Sequence, residues 1–245
     1  WSGDIKQRID SQRDRGAGPR PVTELRVVRQ NGQGDRVLIA DPKLPWLRPY
    51  AWSPDGKKIV FSVRGDLFAT SAKDGGDGAR ITDTPARERN VQWSPDNRTI
   101  VYLSERDGRS HVFQYDFQKQ SETQMTHGDN DDRQPRLSPD GKWLSFQRQW
   151  NQIVVVDLAT KVERVVAEGL LDRSQFGASR PYAWSPDSRW IAYSRRLPNY
   201  LSAIFVYSVE KGESRQITDG LSDARHPVFD KGGQHLFFTA STNLG

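Results

Sequence analysis

Trp52-Ser53-Pro54-Asp55-Gly56 returns as Trp93-Ser94-Pro95-Asp96-Asn97, Leu137-Ser138-Pro139-Asp140-Gly141 and Trp184-Ser185-Pro186-Asp187-Ser188, with a worn fifth copy at Phe229-Asp230-Lys231-Gly232-Gly233. Taken at the serine position, the copies stand 41, 44, 47 and 45 residues apart. A repeat in the forties with short apolar runs inside each unit marks an all-β β-propeller, one four-stranded antiparallel blade per repeat. Within the phrase, Pro fixes φ, Asp hydrogen-bonds nearby backbone, and Gly or Asn tolerates positive φ, so each copy is a tight turn between two strands. Ser188 is the residue that suits this last position least.

The segments around each turn follow one plan. The first strand ends at the Trp, Leu or Phe of the phrase. The second carries Ile59-Val60-Phe61, Ile100-Val101-Tyr102, Leu144-Ser145-Phe146, Ile191-Ala192-Tyr193 and Leu236-Phe237-Phe238, whose outer two residues share a face. Third strands lie at Leu67-Phe68-Ala69, Val112 to Tyr115, Ile153 to Val156 and Ile204 to Tyr207, and the fourth strands are marked by Ile81-Thr82, Met125-Thr126, Val165-Val166 and Ile217-Thr218. Residues 24–28 and 36–39, separated by Asn31-Gly32-Gln33-Gly34, have the phase of third and fourth strands, and the last copy has the phase of first and second strands.

The domain reading follows. Residues 1–21 form a flexible polar leader or linker, and 22–245 the propeller, with blades about 49–84, 89–128, 133–168, 180–220, and 225–245 together with 22–40. Four blades are complete and two are halves. The ring closes at five blades if the halves pair with each other, or else belongs to a larger ring. Gly169 to Ser179 and Arg195 to Ser202 are the extended loops, both candidates for binding.

Composition limits the chemistry. The 245-residue chain has 8 Trp, 10 Phe and 7 Tyr for a core and no Cys, which excludes disulfides and thiolate chemistry. No apolar stretch approaches membrane-spanning length, so no membrane insertion is expected, and no signal peptide is visible in the polar first twenty residues. The net charge of +5 is spread through interleaved acids and bases, an ordinary solvated surface rather than a nucleic-acid stripe.

Catalytic patterns fail one by one. Gly177-Ala-Ser179-Arg-Pro and Gly108-Arg-Ser110-His-Val lack the last glycine of a nucleophile elbow. Ser110 and His111 are neighbours on a strand and point to opposite faces. The four His lack zinc spacing, and Asp129-Asn130-Asp131-Asp132 has Arg133 where a calcium loop needs a ligand, so it reads as an acidic connecting loop. No phosphate-cradling glycine loop is present. No catalytic residue, metal or cofactor is expected.

One constellation survives. Four residues before the aromatic or Leu of every phrase stands an arginine: Arg48, Arg89, Arg133, Arg180 and Arg225. In a propeller these positions form a ring at one mouth of the central channel, suited to peptide carboxylates by the guanidinium fork. The competing reading is that each arginine pairs with an acid or a loop carbonyl and locks blade to blade. Trp52, Trp93 and Trp184 read as core between blades.

The Ser-Pro-Asp-Gly turn, the apolar second strand and the Ile-Thr ending resemble the TolB-type repeat. Arg180-Pro-Tyr-Ala-Trp-Ser-Pro-Asp-Ser-Arg-Trp-Ile-Ala-Tyr193, Ala203 to Val209, Gln216 to Arg225 and Leu236 to Thr242 are similar to the N-terminal propeller of bacterial tricorn-like serine peptidases. The resemblance implies a non-catalytic propeller that guides or filters peptides or unfolded protein segments for a catalytic domain outside this chain, with the other domains of that peptidase as partners and no nucleic acid. The expected location is periplasmic or secreted, with the cytoplasm left open. The alternative the resemblance leaves open is a stand-alone TolB-like protein–protein interaction propeller.

Overall fold

The computed structural model describes residues 5–6, 24–29, 33–40, 48–171 and 182–241, and every helix-or-strand element among them is a strand. β1 (Ile5–Lys6), β2 (Glu24–Arg29) and β3 (Arg36–Ala40) form one antiparallel sheet in that order. Four sheets of four strands follow, each an antiparallel meander. The first holds β4 (Arg48–Trp52), β5 (Lys58–Val63), β6 (Asp66–Ser71) and β7 (Gly75–Arg80). The second holds β8 (Arg89–Trp93), β9 (Thr99–Ser104), β10 (His111–Asp116) and β11 (Ser121–Gln124). The third holds β12 (Asp132–Leu137), β13 (Trp143–Arg148), β14 (Gln152–Asp157) and β15 (Glu163–Glu168). The fourth holds β16 (Tyr182–Trp184), β17 (Trp190–Arg196), β18 (Ser202–Ser208) and β19 (Glu213–Gln216). A two-stranded sheet, β20 (Asp223–Phe229) with β21 (Leu236–Ser241), ends the described residues. The chain divides into two compact units, one reaching Thr126 and one starting at His127.

Each Ser-Pro-Asp turn is built by the same three hydrogen bonds. The serine hydroxyl donates to the aspartate (2.6 Å at Ser53–Asp55, 2.6 Å at Ser138–Asp140) and accepts the N–H five residues on, at Lys58 and Trp143. The aspartate in turn accepts the N–H two residues on, from Lys57, Arg98, Lys142 and Arg189. The fifth position is left-handed in every copy, Ser188 included (φ 62°). Ser188 earns its place through its side chain: its Oγ accepts the N–H of Asp140 in the preceding blade at 2.9 Å, as Asn97 Oδ1 accepts that of Asp55 at 2.8 Å. The strain of positive φ on a non-glycine residue is offset by a cross-blade bond.

The second strands are buried on both faces rather than one. Val60, Val101, Ser145 and Ala192, the middle residues of the triplets, are as buried as their neighbours. Cores form between successive sheets. Ile59 and Phe61 pack with Leu25 and Leu38, Trp93 and Tyr102 with Val60 and Leu67, and Tyr182 and Tyr193 with Ile153 and Val155. The signature tryptophans reach back into the preceding sheet, Trp93 Nε1 donating to Ala51 O at 3.2 Å and Trp184 Nε1 to Ser145 Oγ at 2.8 Å.

Two placements extend the repeat plan. The Ile-Thr pairs lie just past the fourth strands, which are β7, β11 and β19. The threonine hydroxyls have another task. Thr82, Thr126 and Thr218 accept the N–H groups of Leu67, Val112 and Ile204 at 2.8, 2.9 and 3.0 Å, fastening the end of each blade to its third strand. Second, among the described residues β2 lies between β1 and β3, and β20 pairs with β21. Ile5 and Lys6, within the stretch read as a leader, sit opposite Arg29 and Val28 and occupy the edge of β2. Phe237 and Phe238 on β21 are 60% and 41% exposed, whereas their counterparts in the complete blades are buried.

Candidate binding face at the strand starts

In four sheets the arginine at the start of the first strand has the same register. Arg48, Arg89, Arg133 and Arg225 stand opposite Ser62, Leu103, Gln147 and Thr239, each the residue just after the second-strand triplet. The register shifts immediately after Arg89, Arg133 and Arg225, and one residue later, between Pro49 and Ala51, in the first sheet. Asn90, Gln134 and His226, the residues following three of the arginines, take left-handed φ of 56°, 49° and 56°, the backbone of a bulge that re-aims the side chain before it. Pro49 follows Arg48 and cannot take that conformation. The side chain of Arg48 and all of Arg180 lie outside the described residues.

The three described guanidinium groups each meet a carboxylate of their own sheet. Arg89 pairs with Glu105 and lies 3.4 Å from Ser110 Oγ, Arg225 Nε donates to Asp223 at 2.9 Å, and Arg133 sits 3.8 Å from Asp131 with its guanidinium 4.3 Å over the Trp150 ring. Each keeps about a third of its side chain in solvent, 30%, 37% and 30% respectively. These three carboxylate pairings lie within the blade, and each arginine side chain is part-exposed.

A second charged layer lies beneath. Glu88 and Asp132, the residues directly before Arg89 and Arg133, are fully buried. Asp132 opens β12 and accepts from Arg148 Nε at 3.0 Å, so it is a strand residue and not part of an acidic loop. Arg148 crosses the sheet to Glu163 (2.9 and 3.4 Å) and lies over the Phe146 ring at 5.0 Å. In the second blade Arg106 plays the same part. It forks onto Glu122 at 2.7 and 2.8 Å, lies 4.1 Å over Phe113 and 3.7 Å from Glu88, while Tyr102 donates its hydroxyl to Glu122. An arginine clamped between the acid before the first strand's arginine and the acid of the fourth strand thus recurs in two blades. The dipeptides Glu88-Arg89 and Asp132-Arg133 at one point of the repeat were the available signal.

Burial pushes the Glu88 carboxyl above the usual glutamate range, against the opposing pull of the Thr84 and Ser104 hydroxyls and of Arg106. Between the usual and the raised value the native protein holds a proton that the unfolded chain has released, so stability falls as pH rises through that window. Glu88→Gln is expected to remove this slope from the pH dependence of the urea midpoint between mildly acidic and neutral pH. The turn carboxylates have the opposite sign. Asp55 and Asp187 are held low by their serine hydroxyls, and their contribution is lost as pH falls below the usual aspartate range.

Residues 47–244 match the profile of the tricorn protease second β-propeller domain. The chain belongs to that family. As a member of the tricorn second-propeller family it is 37% identical over 183 residues to an uncharacterized protein of Agrobacterium fabrum, covering 70% of this chain and 61% of that one. It is 23% identical over 197 residues to a tricorn protease homolog of Saccharolobus solfataricus, covering 78% of this chain and 17% of the homolog. Among solved structures, the tricorn protease superposes with a TM-score of 0.63 at 20% identity, over 89% of this chain and 22% of the protease. The chain thus spans under two thirds of either relative, and the family description names the second propeller where the sequence resemblance named the N-terminal one.

Proposed function

We propose that this chain is a non-catalytic, peptide-binding propeller of a tricorn-related peptidase, guiding peptide segments toward a catalytic domain outside it. The observation that carries the reading is the repeated register of Arg89, Arg133 and Arg225, each followed by a bulge and each with part of its side chain in solvent. Charge-assisted, two-point hydrogen bonds are what a peptide's terminal carboxylate takes from such groups. Arg48 and Arg180 belong to the proposal by their place in the repeat. Partners are peptides or unfolded segments and the remaining domains of the peptidase. The TolB-type resemblance extends the proposal to a periplasmic or secreted location, which cell fractionation tests.

Titration with one peptide bearing a free or an amidated C-terminus tests the carboxylate site. Amidation is expected to weaken binding about tenfold, the loss of one charged hydrogen-bonded contact, and Arg225→Gln to do the same. Equal affinity for the two forms overturns carboxylate capture. A second reading, a stand-alone protein–protein interaction propeller, is favoured by the Agrobacterium relative, of which this chain covers 61%. The open reading frame around the chain separates the two: downstream peptidase sequence supports the first, and a stop codon near Gly245 supports the second.

A further inference from the structure

Three segments of the fourth blade are laced together at one end of its sheet. The carbonyl of Leu170 accepts the N–H of Arg196 at 2.9 Å, and Leu171 bridges to Arg195. The loop that follows closes on itself, Leu197 N–H donating to Leu201 O at 2.7 Å and Arg196 Nε to Tyr200 O at 3.1 Å. Asn199 Nδ2 then ties this loop to Gly220 O at 3.0 Å, and Asp219 caps the N–H of Leu221 at 3.0 Å. Gly220 sits at φ 78° with the Leu197 methyl filling the space a β-carbon would need, so the two loops are in close contact.

On this frame stand Leu170, Tyr200 and Leu221, which are 60%, 73% and 82% exposed. A lone exposed leucine is ordinary, but three large apolar side chains on one hydrogen-bonded frame form a patch of the kind that marks an interaction site. The frame beneath rests on buried Leu171, Tyr193 and Ala203.

Charge identifies the partner. Arg195 lies 4.2 Å over the Phe205 ring and Arg196 5.2 Å over that of Tyr200, and neither has a carboxylate within ion-pair distance among the described residues. The nearby acids are already engaged. Asp219 caps Leu221, Asp223 accepts from Ser202 N–H and Arg225, and Glu168 accepts from Gln152. We propose that this end of the fourth blade docks an internal protein segment in which an acidic side chain lies beside large apolar ones. Its carboxylate meets the Arg196 guanidinium, and its apolar groups cover Tyr200 and Leu221. The proposal rests on the peptide-binding reading and adds a site that needs no free chain terminus.

The probe is a doubly blocked peptide, acetyl-Ser-Leu-Asp-Phe-Ser-amide, titrated into the whole chain and followed by amide chemical shifts. Saturable binding is expected, weakened about tenfold by Leu221→Ser or Tyr200→Ser and several-fold when the peptide's Asp is replaced by Asn. Because Leu221 and Tyr200 are so exposed, both variants keep the parent's thermal midpoint. Val162→Ser, truncating an exposed apolar side chain on the third blade, leaves binding unchanged. Binding that ignores the Leu221 and Tyr200 variants overturns the site, and equal affinity for the Asp and Asn peptides overturns the role of Arg196. If the blocked probe fails while free-terminus peptides bind, the site fails and the broader reading stands. If neither binds, the broader reading fails as well.

Discussion

Asp132→Ala is expected to cost about 3–5 kcal/mol in urea unfolding of the unit that starts at His127, because it leaves a largely buried arginine without its inner partner. Arg148 is only 16% exposed, and its guanidinium is shared between Asp132 and Glu163 across the width of the third blade. Glu163 is 41% exposed, so Glu163→Gln is expected to cost much less, about 1 kcal/mol or below, as for other solvent-screened pairs. The asymmetry is the informative result. It states that the buried carboxylate before the first strand's arginine, not the exposed one on the fourth strand, holds the clamp. Replacing Asp132 and Arg148 together by apolar residues is expected to recover much of the loss, since the penalty lies in the orphaned charge. A midpoint shift from Asp132→Ala no larger than that from Glu163→Gln overturns this account.

Tyr182→Ala is expected to cost about 3–5 kcal/mol, the range for emptying a large aromatic site in a close-packed core. Tyr182 is fully buried in the core between the third and fourth blades, with Arg136 5.6 Å over its ring. Its hydroxyl donates to Gln134 O at 3.0 Å, and Gln134 is the left-handed residue after Arg133. Tyr182→Phe removes only that bond and is expected to cost about 1–2 kcal/mol. The pair of variants separates packing from the polar tether. Equal costs for the two contradict the view that burial of the ring dominates. Because the tether ends beside Arg133, Tyr182→Phe is also expected to alter amide shifts around Gln134 while leaving the far end of the blade unchanged.

Much of the architecture was legible because it is written in local chemistry. Pro, Asp and a residue tolerant of positive φ at fixed spacing specify a turn wherever they occur, and alternating apolar triplets specify strands beside it. The repeat therefore located four complete blades, their phase and the arginine before every first strand. Ser188 was misjudged for the same reason. Judged by φ preference alone it is a poor fit, and what stabilises it is an N–H in a blade 48 residues earlier in the chain. The Ile-Thr ending was legible as a marker, but its role depends on a third-strand N–H that no sequence window contains.

The candidate sites divide along the same line. Sequence alone determined which position of the repeat carries an arginine and which aromatic residues recur, since both follow from periodicity. Tertiary structure decided what those arginines face. The Arg89–Glu105 pair and the buried clamps at Arg106 and Arg148 arise from residues 15 to 18 positions apart meeting across strands. The apolar patch on the fourth blade is a tertiary product too. Leu170, Tyr200 and Leu221 are unremarkable singly, and only the hydrogen bonds joining three loops place them on one frame. Periodicity dictates which residues recur, but pairing across the sheet, set by long-range backbone bonds, dictates which of them meet.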